Sequence, residues 1–430
     1  MLEDVRLRIL HISTRLILGG SQENTVLSCE GQARLGHEVH LAYGPIYGPE
    51  GSMLPRIEAF NAGAPAEGVT PIRLHELPHM VRQISPVKDH FCFHHDLKRL
   101  MRSVRPDVVH THSSKAGILG RWAAWSARPR PAVIHTIHGP PFMPIEGSAL
   151  SRTRIRLKNR VYTLAERFAA RRCHTIVSVA DAMTEQFLAR GIGSPEQYVT
   201  VRSGMETEAF LTPREGESRE QVRAELGIGQ GDFVVGTVAR LAQHKGHDDV
   251  LDAIGNDLRA HEDWKLLWVG DGWWRDRLSA RVRAMGLEDR VIGVGLVPPE
   301  RVPAMMRAMD VLAHPSAREG LPRTVPQALL CGVCPVAYDV DGTREACIDG
   351  RTGRLIPPGD TRALGDAIRK LWERPDERAR LAQQGLEECA EAFSAQGMVR
   401  ALEGVYRAAL ARADRPVDDG GDGPRPAAGS

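Results

Sequence analysis

A carboxylate and an amide lie eight residues apart in the segment "SAREGLPRTVPQALLCG", residues 316–332. Glu319 stands on a Gly-Leu-Pro loop just before a predicted helix, and Gln327 lies in that helix. The first N–H groups of a helix are unpaired and mark the positive end of its dipole, so a helix start attracts anions. Glu319 is therefore either that anion or a neighbour of the place where another anion binds.

Two cations, Arg240 and Lys245, follow an earlier predicted strand in "ARLAQHKG". A pair of fixed positive charges opposite a helix start suits a diphosphate. The alternative is a solvated loop that carries two ordinary surface charges. The segments "VGDG", which contains Gly270 and Gly272, and "EGLPR" follow in order and favour the diphosphate interpretation.

Glycines early in the chain form a second candidate region. Gly19 and Gly20 would let the backbone approach a ligand closely, or they form a simple turn. The spacing in "LGGSQE" does not match the GxGxxG pattern of dinucleotide sites, which counts against a nicotinamide enzyme.

Several histidines end predicted strands, where most lone histidines are structural. His110, His135 and His174 are interpreted in that way. His112 and His138 stand where a ligand is expected and are functional candidates.

Two motifs resemble metal sites without matching their requirements. Cys331 and Cys334 form a CxxC, but zinc needs about four ligands and no second pair accompanies them. The "DVD" at Asp339–Asp341 follows a strand and is interpreted as a loop. We therefore expect reduced, structural cysteines, no metal and no cofactor.

Short apolar strands alternate with helices along most of the chain, which predicts parallel sheets covered on both faces. The pattern runs from "LRILHIS" to "HTIVSVA", pauses in the polar segment "VRSGMETEAFLTPREGES", and restarts at "FVVGTVARL". Two such runs predict an α/β protein with two doubly wound, Rossmann-like domains. The expected organisation is residues 1–203 and 204–386 for the two domains, 387–412 for a C-terminal helix that packs back on the first domain, and 413–430 for a disordered tail.

Composition narrows the class of protein. The 430 residues exceed one ordinary domain, and the net charge of +2 gives no case for nucleic-acid binding. No apolar run reaches the roughly 18 residues of a membrane span, and the charged "MLEDVRLRILHIS" does not read as a signal peptide. A cytoplasmic protein is the expectation.

Ligands of open parallel sheets bind beyond the carboxyl ends of the strands. The unusual polar residues of both halves follow strands, so two facing sheet edges would enclose a cleft in which two substrates meet. The acceptor-side candidates are Gly19, His112, Ser113 and Lys115.

The ordered set of motifs resembles the retaining glycosyltransferases of family 4, which have the GT-B fold. The resemblance covers about residues 6–410. It rests on "LGGSQENTV", "DVVHTHSSKAGILGRWAA", "HTIHGPPF", "GTVARLAQHKGHDDVLDA", "WVGDG", "MDVLAHPS" and "EGLPRTVPQALLCGVCPVAYDVDGTREA".

The resemblance implies a nucleotide-sugar donor, commonly UDP-linked, in the second domain and a saccharide, glycolipid or small-molecule acceptor mainly in the first. Glu319 matches the glutamate that contacts the donor sugar, and Arg240 and Lys245 match the cations on the diphosphate. His138 matches a histidine near the sugar, and N–H groups after Gly320 would hold the diphosphate. Donor-side residues are expected to be Gly20, Gly270, Gly272, Gly320, Leu321, Arg323 and Gln327.

One position departs from the family. The second glutamate of the family's E-x7-E signature is Gln327 here. Glutamine both donates and accepts hydrogen bonds, so contact with ribose hydroxyls survives whereas a charged role does not. We assign Gln327 to donor binding only.

The family implies front-face transfer with retention. Fixed cations could replace a divalent metal, so we expect metal independence. Two alternatives stay open: a nucleotide-sugar epimerase of the same architecture, and a non-catalytic protein that binds sugar nucleotides.

A basic segment raises a question about the acceptor. Residues 151–172 contain eight Lys/Arg and one acid, Glu166, with apolar residues between them. This is either a helix with a solvated basic face or a surface that docks on an anionic membrane or a lipid phosphate. Docking would suit assembly of a cell-surface polysaccharide, and the protein would then lie at the inner face of the membrane.

Overall fold

The computed structural model describes residues 5–47, 51–142 and 149–413. Two parallel sheets organise these residues, which confirms the predicted pair of doubly wound α/β units. The predicted tail falls mostly on 414–430, outside the described residues.

The first sheet has seven parallel strands in the order β3-β2-β1-β4-β5-β6-β7. Its central strands are buried on both faces, because helices cover both sides of the sheet. The strands are β1 Arg8–Ser13, β2 Glu38–Tyr43, β3 Arg73–Glu76, β4 Val108–His112, β5 Ala132–Ile137, β6 Thr175–Ser178 and β7 Tyr198–Thr200. The helices are α1 Gly20–Arg34, α2 Leu54–Gly63, α3 Pro86–Phe91, α4 Lys98–Val104, α5 Ser114–Trp125, α6 Ala149–Ala170 and α7 Asp181–Leu188, with a π-helical stretch Cys92–Leu97.

The second sheet has six parallel strands in the order β10-β9-β8-β11-β12-β13. The strands are β8 Phe233–Val238, β9 Trp264–Val269, β10 Val291–Gly295, β11 Val311–His314, β12 Cys334–Tyr338 and β13 Arg354–Ile356. The helices are α8 Glu208–Leu211, α9 Arg219–Glu225, α10 His247–Ala260, α11 Arg275–Ala284, α12 Val302–Arg307, α13 Thr324–Leu330, α14 Thr361–Glu373 and α15 Pro375–Ala392, followed by α16 Ala395–Ala413.

The chain crosses between the two units twice, and the two crossings touch. The N–H of Met205 donates to the carbonyl of Phe393 at 2.8 Å, and the N–H of Ala395 donates to the carbonyl of Met205 at 2.9 Å. After this junction α16 packs its apolar face on α1 and β5 of the first unit. A methyl group on Gly31 of α1 would lie 2.4 Å from Val399, so the two helices meet closely there.

The structure adds two strands to the predicted elements and fixes the position of one predicted helix start. Strands β3 and β7 were not predicted; they are the edge strands of the first sheet, with 4 and 3 residues and only partial burial. The helix predicted after the Gly-Leu-Pro loop begins at Thr324, so the N–H groups of Gly320 and Leu321 lie in the loop and not in the first helical turn.

No helix among the described residues is long and apolar enough to cross a membrane.

Candidate functional site

Each sheet reverses its strand order at one point, and the candidate residues follow the strands at that point. The reversal lies between β1 and β4 in the first sheet and between β8 and β11 in the second. Gly20 follows β1, Ser113 follows β4, Arg240 follows β8 and Glu319 follows β11. Ligands of doubly wound sheets bind at such reversals because the flanking loops diverge there and leave a crevice.

Glu319 lies in a nearly buried position between two basic side chains. Its Oε1 is 2.6 Å from Nζ of Lys245 and 3.2 Å from Nε2 of His314. Burial alone would raise the pKa of Glu319, but the interactions with His314 and Lys245 outweigh it and hold that pKa well below its usual range. Glu319 is therefore ionised at neutral pH.

The loop that carries Glu319 is fixed by hydrogen bonds from several directions. The N–H of Ala317 and the hydroxyl of Ser316 both donate to the carbonyl of His244. The N–H of Glu319 donates to Oδ2 of Asp341 at 2.8 Å. These bonds join the loop after β8, which carries Lys245, to the loop after β11.

Glycines allow the loops after β8 and β9 to lie against each other. Gly270 has φ +133°, and a methyl group there would lie 2.2 Å from the carbonyl oxygen of Ala239. A methyl group on Gly272 would lie 2.4 Å from the carbonyl oxygen of Leu241. Arg240 is exposed beside Trp273, whose ring is 5.7 Å away and 68% exposed. A cation and an open aromatic surface thus border this side of the cleft.

The two units touch across the cleft at two glycines. A methyl group on Gly320 would lie 2.6 Å from the carbonyl oxygen of His138. A methyl group on Gly20 would lie 2.9 Å from Cδ of Arg323, whose guanidinium pairs with Glu23 of α1 at 2.9 Å. The loop after β11 therefore lies directly against strand ends of the first sheet.

A cavity of 400 Å³ lies on the first sheet's side of this contact. Its lining includes Ser113, Ser114, Thr136 and His138. Ser113 has φ +64°, and its hydroxyl lies 2.7 Å from that of Thr14, which holds the turn after β4. The cavity offers hydroxyl and imidazole groups suited to hydrogen bonding with a polyol.

His138 connects this cavity to the interior of the first sheet. Its Nε2 lies 3.1 Å from Nδ1 of His112. Burial and the charge of Arg323 lower the pKa of His138 to about 4, so the ring is neutral at pH 7. The two histidines singled out from the sequence are thus direct neighbours.

Other predicted residues lie apart from these contacts. Lys115 pairs with Asp89 of α3 and bonds to the carbonyl of Gln83. Gly19 caps the start of α1, Leu321 is 9% exposed, and Gln327 is half-buried on α13. Their roles stay predictions.

Sequence reasoning missed three residues that contact the predicted ones. His314 touches Glu319, Glu23 pairs with Arg323, and Asp341 receives the N–H of Glu319. His314 ends β11, so the rule that placed Glu319 after a strand would also have identified it. Glu23 and Asp341 depend on contacts between distant segments, which no local pattern indicates.

The motifs set aside as metal sites make ordinary protein contacts. Asp341 also accepts a hydrogen bond from Gln186 of α7 at 2.6 Å, and Asp339 pairs with Arg344. The seven cysteines are free thiols, and burial raises the pKa of Cys331 and Cys334 to about 12.

Comparison with known proteins identifies the family. Residues 19–204 match the glycosyl transferase 4-like domain, and residues 218–388 match glycosyl transferases group 1. The 2-deoxystreptamine N-acetyl-D-glucosaminyltransferase of Streptomyces fradiae is 33% identical over 325 residues, 73% of this chain and 74% of that protein. The D-inositol 3-phosphate glycosyltransferase of Corynebacterium aurimucosum is 27% identical over 415 residues, 91% of each chain.

A solved structure supports the same conclusion for the fold. The crystal structure of Anabaena HepE in complex with UDP and glucose superposes with a TM-score of 0.72 at 20% identity, over 94% of this chain and 100% of that one. Two parallel-sheet units that face each other in this way form the GT-B fold. The chain belongs to the group 1, family 4-like glycosyltransferases and is a transferase with that fold.

Proposed function

We propose that this transferase moves a hexosyl or N-acetylhexosaminyl group from a UDP-sugar to a hydroxyl group of a small cyclic polyol, with retention of anomeric configuration. The observation that carries the proposal is the contact of the Glu319–Gly320 loop with the strand end at His138. Glu319, which pairs with Lys245, is thus the chain neighbour of a residue that contacts His138, and His138 lines a cavity with several hydroxyl groups.

The two units have different roles in this proposal. Residues 1–203 hold the acceptor, residues 204–386 hold the donor, and residues 387–412 return to the acceptor side. The packing of α16 on α1 and β5 supports the last assignment. Arg240, Lys245 and the glycine loops take the diphosphate, Glu319 takes the donor sugar, and Gln327 takes the ribose.

The reaction breaks the bond between the anomeric carbon and the diphosphate, and forms a bond from that carbon to the acceptor oxygen. The acceptor proton passes to the departing diphosphate on the same face, which gives retention. Arg240 and Lys245 stabilise the charge that develops on the leaving group. Contact between the two units excludes water and so limits hydrolysis of the donor.

The names of the relatives support a small cyclic acceptor. The Streptomyces fradiae protein is named for 2-deoxystreptamine and the Corynebacterium aurimucosum protein for D-inositol 3-phosphate. Both are hydroxylated cyclohexane rings, and a cavity of 400 Å³ has room for a ring of this size.

The surface of α6 favours a second candidate, in which the acceptor is a glycolipid or a cell-surface polysaccharide precursor at the inner face of the membrane. An apolar stripe of Leu157, Val161, Leu164 and Phe168 is 65%, 52%, 55% and 38% exposed. Spacings of 4, 3 and 4 residues put the stripe on one face of the helix. The basic residues of 151–172 surround the stripe and suit an anionic lipid surface.

The experiment combines UDP-N-acetylglucosamine or UDP-glucose with 2-deoxystreptamine or inositol, and analyses products by mass spectrometry and NMR. An α-linked product that requires both substrates supports the proposal. A β-linked product would contradict retention. Epimerised donor without acceptor would favour the epimerase, and binding without turnover would favour the non-catalytic alternative.

A further inference from the structure

A line of buried side chains connects α16 to the cleft through His138. The phenol oxygen of Tyr406 lies 2.8 Å from Nε2 of Gln32, and Oε1 of Gln32 lies 2.7 Å from Nε2 of His11. Nδ1 of His11 lies 2.9 Å from Nε2 of His112, whose Nδ1 lies 3.1 Å from Nε2 of His138. Five side chains on α16, α1, β1, β4 and the end of β5 thus form one hydrogen-bonded chain, here called the histidine relay.

The relay has a direction because neutral imidazole has one donor and one acceptor nitrogen. Burial lowers the pKa of His11 to about 4 and holds the pKa of His112 well below its usual range, so both rings are neutral. The amide oxygen of Gln32 only accepts, so Nε2 of His11 donates to it. Nε2 of His112 then donates to His11, and Nε2 of His138 donates to His112.

The relay ends on an atom without a protein partner. Nδ1 of His138 is buried and has no hydrogen-bond partner among the residues that the structure describes. In the direction just derived, this nitrogen carries a lone pair and no hydrogen. The reverse direction would leave an unpaired N–H there, close enough to Arg323 to feel its positive charge.

A metal would be the competing explanation for these histidines. One nitrogen from each of His11, His110 and His112 lies within 4.8 Å of the others. His110 is nevertheless bonded to Tyr406 and Thr136, at 2.7 and 2.6 Å, and both nitrogens of His11 and His112 are bonded within the relay. Hydrogen bonds therefore account for all six ring nitrogens.

We propose that Gln32, His11 and His112 are positioning residues that hold His138 as the Nε2–H tautomer, so that its Nδ1 accepts a hydrogen bond from a sugar hydroxyl in the cleft. The sugar rests on the proposed function, whereas the tautomer does not. His138 lines the cavity beside Ser113 and Thr136, and its carbonyl touches Gly320 on the donor side. A hydroxyl group that enters the cavity there could donate its hydrogen to Nδ1 of His138, instead of facing another N–H donor.

The first test is NMR of the full chain labelled with 15N-histidine, with His138 assigned from the spectrum of His138→Gln. The proposal predicts protonation at Nε2 for His11, His112 and His138, and no titration of the three rings between pH 8 and 5.5. Protonation of His112 or His138 at Nδ1 would overturn it, as would a pKa near 6.5.

The second test separates sugar contact from nucleotide binding. UDP-N-acetylglucosamine should shift the Nδ1 resonance of His138, whereas UDP alone should leave it in place. An unmoved resonance at a saturating concentration, verified by calorimetry, would overturn the sugar contact. Failure of both compounds to bind would reject the proposed donor, while the spectrum of the free protein would still decide the tautomer.

The third test changes the start of the relay. Gln32→Leu removes the acceptor for His11, and Gln32→Glu keeps one. We expect Gln32→Leu to change the tautomer ratio of His138 and kcat by about fivefold each, the size of one neutral hydrogen bond, without changing UDP affinity. Gln32→Glu should retain the tautomer. An equal loss of kcat in both variants, or an unchanged tautomer ratio of His138 in Gln32→Leu, would contradict the relay. If either variant fails to fold, Tyr406→Phe replaces it: this substitution removes the hydroxyl that holds the Gln32 amide, and the tautomer ratio of His138 is measured in the same way.

Discussion

Nζ of Lys245 lies 2.6 Å from Oε1 of Glu319, and the two residues come from loops after β8 and β11, on either side of the strand-order reversal in the second sheet. The pair brings an ammonium and a carboxylate to one point of the proposed donor site. Removing either charge leaves the other one largely buried without its nearest opposite charge.

Lys245→Ala should therefore impair both binding and transfer. The variant removes one cation from the diphosphate and leaves the carboxylate of Glu319 without its ammonium. We expect transfer to fall about a hundredfold or more, the usual effect of losing one electrostatic partner of a leaving group. Lys370→Ala, which removes an exposed lysine of α14, is the matched control and should retain activity. Equal activity of the two variants in a steady-state transfer assay would contradict this role.

Glu319 should make stability depend on acid. The pKa of Glu319 is lower in the folded protein than in the unfolded chain. The carboxylate therefore contributes fully to the free energy of unfolding above the unfolded-state pKa of about 4.3, and this contribution is lost as pH falls below that value. Thermal unfolding between pH 6 and 3 should show a steeper fall in Tm for the wild-type protein than for Glu319→Gln. Parallel curves would mean that the carboxylate is not stabilised in the folded state.

Buried histidines should reduce the stability of the protein in a pH range that lies above the range in which carboxylates such as Glu319 do so. Burial lowers the pKa of His174 to about 4, so the unfolded state binds a proton first and stability falls as pH drops from about 6.5 towards 4. His174→Asn keeps an oxygen that can accept from the N–H of Val133, 2.9 Å from the histidine nitrogen. As pH falls over this range, the free energy of unfolding should decrease by up to roughly 3 kcal/mol less in the variant than in the wild-type protein, as measured by urea unfolding. An unchanged pH dependence would contradict the shift.

The contact between Gly320 and His138 should control closure of the cleft. Gly320→Ala places a methyl group 2.6 Å from a backbone oxygen, so the two units must move apart. We expect loss of transfer, a larger radius of gyration by small-angle X-ray scattering, and a nearly unchanged Tm. Gly293→Ala is the control because a methyl group there meets nothing within 4 Å. A compact and active Gly320→Ala variant would show that closure does not require this approach.

The stripe on α6 should decide the membrane hypothesis. The double substitution Leu157→Ser and Leu164→Ser removes two of its most exposed residues, and Leu296→Ser removes a residue that is 82% exposed in the second unit. Liposomes with anionic lipid should retain the wild-type protein and Leu296→Ser at low salt, and should lose the double variant. Absence of retention of the wild-type protein would exclude membrane docking through α6.

Local sequence patterns predicted most of the fold because buried parallel strands are continuous apolar runs. The segment "HDDVLDAIGNDLRA" coincides with α10 from His247 to Ala260. The edge strand β3 escaped prediction because its four residues are only partly buried or exposed. The helix after the Gly-Leu-Pro loop was predicted, whereas the hydrogen bonds from Glu319 to Asp341 and from Arg323 to Gly20 were not, because each joins segments that are distant in the sequence.

The sequence predicted only those residues of the candidate site whose position depends on the end of a single strand. Glu319, Lys245 and His138 could be found in that way. The relay behind His138 could not, because Gln32 and Tyr406 are 374 residues apart and meet only after α16 packs on α1.

Calorimetric titration of UDP into the wild-type protein and into Lys245→Ala tests the central claim, that the loops after β8 and β11 form a nucleotide-sugar site. We predict binding to the wild-type protein, at least tenfold weaker binding to the variant, and weaker binding of ADP and GDP to both. Equal affinity of UDP for the two proteins, or no binding of UDP to the wild-type protein, would contradict the claim.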